Sequence, residues 1–218
     1  MSDYTLYIGN KNYSSWSLRP WLAMKVADIE FEEKLILLFD DDWKANIAKV
    51  SPSARVPVLT DGELTIWETM AILEYLAERH PEKGLWPEDR EARAIARSVS
   101  NEMHAGFNAL RGNMPMNIRK SHPGKGMGAG VAEDIARVCE IWNDCRSRFG
   151  QGGPFLFGKF CNADAMFAPV VSRLTTHVVE LDAVSSAYRD AVQALPEMIE
   201  WSDAGRAEPW SVPEDEID

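Results

Sequence analysis

The stretch Arg55-Val56-Pro57-Val58-Leu59-Thr60-Asp61-Gly62-Glu63-Leu64-Thr65-Ile66-Trp67-Glu68-Thr69 decides the fold. Two short apolar and β-branched runs flank Asp61-Gly62, a dipeptide suited to a tight turn because glycine takes positive φ without a Cβ clash. A hairpin is expected, with one strand over residues 56–60 and its return over 64–67. Proline cannot donate to a strand ladder, so Pro57 belongs at a first or edge position. A cis Val56–Pro57 bond would turn the Val56 backbone outward to pair with an extended peptide ligand, and the plain alternative is a loop leading into the strand. Downstream, residues 68–80 read as a helix with Ile72, Leu73 and Leu76 inward.

Upstream of the hairpin, Tyr4 to Ile8 is rich in β-formers and reads as a buried strand, broken by the polar residues 9–15. A helix over 17–27 follows, with Leu18, Trp21, Leu22 and Val26 on one side. Pro20 is tolerated near a helix start, which makes Ser17 the natural cap. Residues 31–39 read as a strand and 43–50 as a short helix or turn. The order β-α-β-α-β-β-α predicts a small sheet flanked by helices. After the linker at 80–87, the pattern is helical: one long helix over 89–113, others over 131–148 and 163–179 (bent at Pro169), and weaker ones over 185–195 and 196–201. The tail from residue 208, with two prolines and Glu214-Asp215-Glu216, is expected to lie over the surface or hang loose. The expected division is an α/β domain over 1–82 and an all-α domain over 88–218.

Composition narrows the function classes. Of 218 residues, 45% are hydrophobic and 26% charged, enough apolar material for a core. Against 34 acidic residues stand 23 basic ones, a net charge of −11 that disfavours nucleic acid as a partner. No apolar run approaches the roughly 18 residues of a membrane helix, and residues 1–10 lack a basic segment followed by an apolar one. The three cysteines, Cys139, Cys145 and Cys161, form neither a C-x-x-C pair nor a zinc spacing. A soluble cytoplasmic protein that uses no metal is expected.

Three local features carry chemistry. Besides Arg55-Val56-Pro57, Glu68-Thr69 opens a helix, whose free N–H groups suit a carboxylate while Glu68 suits an ammonium. The bland reading is a cap and a dipole-favouring acid. Tyr13-Ser14-Ser15-Trp16-Ser17-Leu18-Arg19 places serine hydroxyls beside a helix N-terminus, where a hydroxyl and the positive helix end lower a bound thiol's pKa.

Together, Ser-Ser-x-Ser-x-Arg, then Arg-Val-Pro-Val-Leu, then Glu-Thr-x-Ala-Ile-x-x-Tyr-Leu resemble the thioredoxin-like half of cytosolic glutathione transferases. Gly158-Lys159-Phe160-Cys161-Asn162-Ala163-Asp164-Ala165 resembles the motif that opens that family's buried helix in the all-α helical bundle. There a hydroxyl residue and an Asp make a capping box, so Cys161 is expected to weaken one of its two bonds. The resemblance implies that Val56 pairs with the cysteinyl part of glutathione, that Glu68 and Thr69 hold its γ-glutamyl end, and that Arg55 reaches toward the tripeptide. Ser14 and Ser15 align with the serine pair of the zeta class, whose first serine is the usual activator, with Tyr7 the alternative in a tyrosine-type site. Trp16 stands where zeta enzymes have Cys, which speaks against maleylacetoacetate isomerase activity. The resemblance also implies a homodimer.

The electrophile site is then expected between the halves, on the first long helix. His104, Asn108 and Arg111 recur at i, i+4 and i+7 with Phe107 beside them, and Trp16 joins them from the serine loop. Arg111 suits an acidic or oxygenated substrate, and a solvated stripe is the alternative. The expected function is glutathione transfer to a small electrophile. A glutathione-dependent isomerase or dehalogenase, or a glutathione-binding protein without turnover, are the other readings.

Overall fold

A computed structural model describes residues 4–217; residues 1–3, part of the stretch read for an export signal, lie outside it. The first half runs β1 (Tyr4–Ile8), α1 (Ser15–Val26), β2 (Glu32–Leu35), α2 (Trp43–Ala48), β3 (Val58–Asp61), β4 (Leu64–Trp67) and α3 (Thr69–Arg79). Its sheet has the order β2-β1-β3-β4, with β1 parallel to β2 and antiparallel to β3. Leu59 stands opposite Leu6 on one side and Ile66 on the other, so the register carries Val58 and Leu59 into the core and leaves Leu64 and Trp67 half-exposed on the outer strand. Gly62, at φ 57°, makes the turn between β3 and β4.

The helical half is α4 (Arg90–Ala105), α5 (Asn108–Asn113), α6 (Val131–Phe149), α7 (Asn162–Thr176), α8 (Ala183–Gln193) and α9 (Pro196–Ala207). The architecture is a thioredoxin-like sheet with helices followed by an all-α region. Among the described residues no helix is long and apolar enough to cross a membrane.

Every residue of α7 except Thr175 is buried, and α1, α4 and α8 all pack on it. Its first turn is held by Asp164, whose carboxylate accepts the N–H of Cys161 (2.9 Å) and of Leu156 (3.0 Å). Both halves of the capping box close despite the cysteine, the sulfur serving as the weaker acceptor.

Several sequence expectations need correction. The helix expected over 89–113 is two, because Gly106 is extended and Phe107 takes φ 56° while its ring enters the core. A Cβ at Gly106 would stand 2.8 Å from the Glu102 carbonyl, so the break requires glycine. The strand expected over 31–39 stops at Leu35, because the Asn10 side chain takes the Leu38 N–H (2.9 Å) and Phe39 turns with φ 61°. The tail is fastened rather than loose: Glu208 accepts the N–H groups of Lys11 (2.7 Å) and Asn12 (3.1 Å). Arg119 donates to the carbonyls of Glu208 and Trp210, both at 2.6 Å, and Val212 is buried.

Helix α1 starts two residues early, at Ser15, so Pro20 lies in its second turn. Proline has no N–H for the carbonyl four residues back, which here is that of Trp16. The Thr69 hydroxyl donates to that carbonyl (3.2 Å) in its place. Thr69 therefore makes the proline tolerable and ties α3 to α1.

Two expectations follow. Thr69→Val should cost about 1–2 kcal/mol in urea unfolding, because it leaves the Trp16 carbonyl without a partner, whereas Thr69→Ser should cost much less. Asp164→Ala should cost about 2–4 kcal/mol by orphaning two buried N–H groups. Burial raises the Asp164 carboxyl from 3.8 to about 6, against the pull of its two N–H bonds. The native state then holds the extra proton between about pH 4 and 6, so this contribution is full below about pH 4 and lost as pH rises through 6. Denaturation of wild type and Asp164→Asn across that range should show wild type losing up to about 3 kcal/mol relative to the variant.

Candidate functional site

The loop between β1 and α1 brings the three serines together. Ser17, expected as the cap, lies inside α1, where its Oγ accepts the Gly9 N–H (3.0 Å) and the Ser14 hydroxyl (2.7 Å). Ser14 is the N-cap residue, and its side chain makes no capping bond. Ser15, the first helical residue, accepts an N–H of Arg173 at 3.3 Å. Ser14 and Ser15 line a cavity of about 580 Å³ between the two halves. One wall is aromatic and apolar, from Tyr13, Phe39, Trp43 and Met116; the other carries Arg111 and Arg173.

A second cavity of about 460 Å³ adjoins it, sharing Trp16, Arg55, Val56 and Arg111 and adding Pro57, Glu68 and His104. The Val56–Pro57 bond is cis. Strand β3 begins only at Val58, and no described residue bonds the Val56 N–H or carbonyl. Glu68 has φ 77° and ψ 126°, glycine territory for a residue with a side chain. Such strain, about 1–3 kcal/mol, persists where surroundings impose it and concentrates at functional sites. The Glu68 carboxylate lies 3.3 Å from His104 Nε2.

Trp16 lines both cavities. Its ring contacts the guanidinium groups of Arg19 (4.1 Å) and Arg111 (4.8 Å), with the His104 ring edge-on at 5.1 Å. Arg173 donates its Nε to the Met114 carbonyl at 2.8 Å. Burial, and then repulsion from Arg111, push Arg173 down to about 10. Burial also lowers Arg19 and Arg111, with Arg173 and Arg111 adding to the effect at Arg19. Glu68 acts against this at Arg19, and Asp215 of the tail at Arg173. Arg111 and Arg173, side by side on one wall of the larger cavity, favour an arriving anion.

The structure thus brings Ser14, Ser15, Trp16, Arg55, Val56, Pro57, Glu68, His104, Asn108 and Arg111 to the two cavities. Three candidates lie off them. Thr69 is fully buried with its hydroxyl on Trp16, Phe107 is in the core, and Tyr7 sits mid-sheet on β1. His104 and Asn108 belong to different helices, so the expected single polar face does not exist. The sequence reading missed Arg173, although a lone arginine in an otherwise small and apolar helix was a usable signal. It also missed the aromatic wall from Phe39 and Trp43, and Asp215, which lines the larger cavity.

Cys145 and Cys161 are buried, with thiols pushed up, Cys145 to about 12. Half-buried Cys139 is raised too, chiefly by burial, and none of the three lines either cavity. Among the described residues no group of three or more His, Cys, Asp or Glu could hold a metal ion. A larger groove of about 960 Å³ between α1, β2 and α9 is ringed by acidic side chains and holds none of the candidates.

Residues 13–79 match the family described as Glutathione S-transferase, N-terminal domain. The chain is 36% identical over 106 residues to a protein of Caenorhabditis elegans named "Probable maleylacetoacetate isomerase", covering 48% of each chain. It is 30% identical over 106 residues to "Glutathione S-transferase zeta class" of Euphorbia esula, covering 48% of this chain and 47% of that one. These matches span about half the length of the curated relatives. In fold, it superposes with a TM-score of 0.72 on a glutathione transferase homolog from Burkholderia GL BGR1 solved with bound glutathione, at 24% identity and covering 94% of this chain and 99% of that one. Residues 13–79 thus resemble a glutathione S-transferase N-terminal domain, and the chain has the glutathione transferase fold.

Proposed function

We propose that the chain is a glutathione transferase whose loop serine stabilises the bound thiolate for attack on a small electrophile. The observation that carries this reading is the unpaired Val56 backbone beside strained Glu68, in a cavity that opens through Arg55 and Trp16 onto the serine loop. In this reading Val56 pairs with the cysteinyl backbone, Glu68 holds the ligand's ammonium, and the Thr69 N–H receives its carboxylate. Arg55 reaches toward the tripeptide. Ser14 or Ser15 faces the sulfur, and the electrophile lies against Trp16, Asn108 and Arg111 with His104 at the boundary. Phe107 supports this wall from the core. A free thiol near pKa 8.5 is mostly protonated at neutral pH, and a two-unit depression is worth about 2.7 kcal/mol, within reach of a helix end, a hydroxyl and nearby cations.

A glutathione-dependent isomerase is the second reading, favoured by the name of the Caenorhabditis elegans relative. Product analysis separates the two. The reading includes a glutathione-binding half over 1–82, an electrophile-binding half over 88–218, a cytoplasmic location and a homodimer. Half-exposed Leu64 and Trp67 on the outer strand β4 suit a partner surface.

Calorimetry should detect glutathione binding, and Glu68→Gln should weaken it by about 1–3 kcal/mol through loss of a charge-assisted bond. Absence of binding at millimolar glutathione would sink the reading. Light scattering at micromolar protein should give twice the 24.5 kDa chain mass; a mass near one chain would remove the homodimer.

A further inference from the structure

The structure distinguishes the two serines and gives one of them a partner from the other half of the molecule. Thiolate stabilisation needs a hydroxyl that donates. The Ser14 hydroxyl already donates to Ser17 Oγ at 2.7 Å, and Ser17 also receives the Gly9 N–H. Ser15 differs. An arginine has no acceptor atom, so in the 3.3 Å contact between Arg173 Nη2 and Ser15 Oγ the serine must accept. Its own hydrogen has no acceptor among the described residues, and the side chain lines the larger cavity.

Arg173 is built to hold that arrangement. It stands on α7, the most buried helix, and is itself 5% exposed. Its Nε is fixed on the Met114 carbonyl at 2.8 Å, and Nη1 reaches the Pro169 carbonyl at 3.5 Å. A guanidinium so held cannot swing away, and desolvation strengthens its effect on a neighbouring charge.

We propose that Ser15 is the hydroxyl that donates to the glutathione thiolate, and that Arg173 is its positioning residue, donating to Ser15 Oγ so that the serine's hydrogen points at the sulfur. This rests on the reading that glutathione binds with its sulfur in the larger cavity. The thiol proton leaves to solvent, the sulfur keeps the electron pair, and Ser15 and Arg173 remain protonated throughout. The charged and titratable groups around the sulfur's position are Arg111 from α5, Arg173 from α7, Arg55 ahead of β3, Tyr13 from the serine loop and Asp215 from the tail. The arginines lower the thiol pKa; Asp215 opposes them.

The test is the thiol pKa of bound glutathione, followed by thiolate ultraviolet absorbance against pH, with affinity measured by calorimetry on the same samples. Ser15→Ala and Arg173→Gln should each raise that pKa by about one unit or more while glutathione affinity stays within about threefold. Arg173→Lys, which keeps a donor and a charge, should recover part of the shift, and Ser14→Ala should raise the pKa by clearly less than Ser15→Ala. Ser15→Ala removes only a small group, so it decides the matter even if an Arg173 variant fails to fold. An unchanged thiol pKa in Ser15→Ala, or a full rise in Ser14→Ala instead, overturns the assignment while leaving the transferase reading intact. If wild type binds no glutathione, the transferase reading fails and the assignment goes with it.

Discussion

Much of this structure depends on the carboxylate of Asp164. It fixes the first turn of α7 and the incoming backbone at Leu156 in one buried site. Helices α1, α4 and α8 then pack on α7, so the thioredoxin-like half and the helical half share one support. The cost of this arrangement is a desolvated acid, offset by two N–H groups that would otherwise be buried without partners. Arg173 emerges from the same helix into the cleft, so the element that joins the halves also supplies the site with a cation.

Helix α1 is the counterpart on the other side of the cleft. It carries Ser14 and Ser15 at its start and Trp16 in its first turn, and it is buried almost all round between the sheet, α3, α7 and α9. A proline inside such a helix would normally leave a carbonyl stranded. Here the hydroxyl of Thr69 closes the gap, and that bond aligns the start of α3, with strained Glu68 before it, against the serine loop. The Thr69 bond adds to the packing of α1 on α3 that keeps the two helix starts, and with them the two cavities, side by side.

The hairpin, its turn glycine, the Val56–Pro57 edge and the element order of the first half were legible because each rests on neighbours in the sequence: Asp61-Gly62 for the turn, Pro57 for the ladder's limit, alternating apolar residues for the register. What escaped was set by distant partners. Periodicity runs unbroken through Gly106, and only the position of the Glu102 carbonyl and the demand of the core for the Phe107 ring break the helix there. Ser17 resembles a cap until Gly9 and Ser14 are seen to converge on it. The residues around Trp16 were partly readable, since Arg111 and His104 were marked for the cleft. Arg19 over the Trp16 ring and Arg173 on Ser15 were not, because their placement is a product of helix packing.

Glu208 has a consequence for the order in which the molecule comes together. Its carboxylate binds the backbone of Lys11 across 197 positions of chain, and Trp201 Nε1 donates to the Lys11 carbonyl across 190, so the approach to the serine loop is closed by the last part of the chain. Closing so long a span is entropically expensive and slow compared with forming a helix or a hairpin. The approach to the serine loop therefore takes its final shape only when the C-terminal segment docks on it.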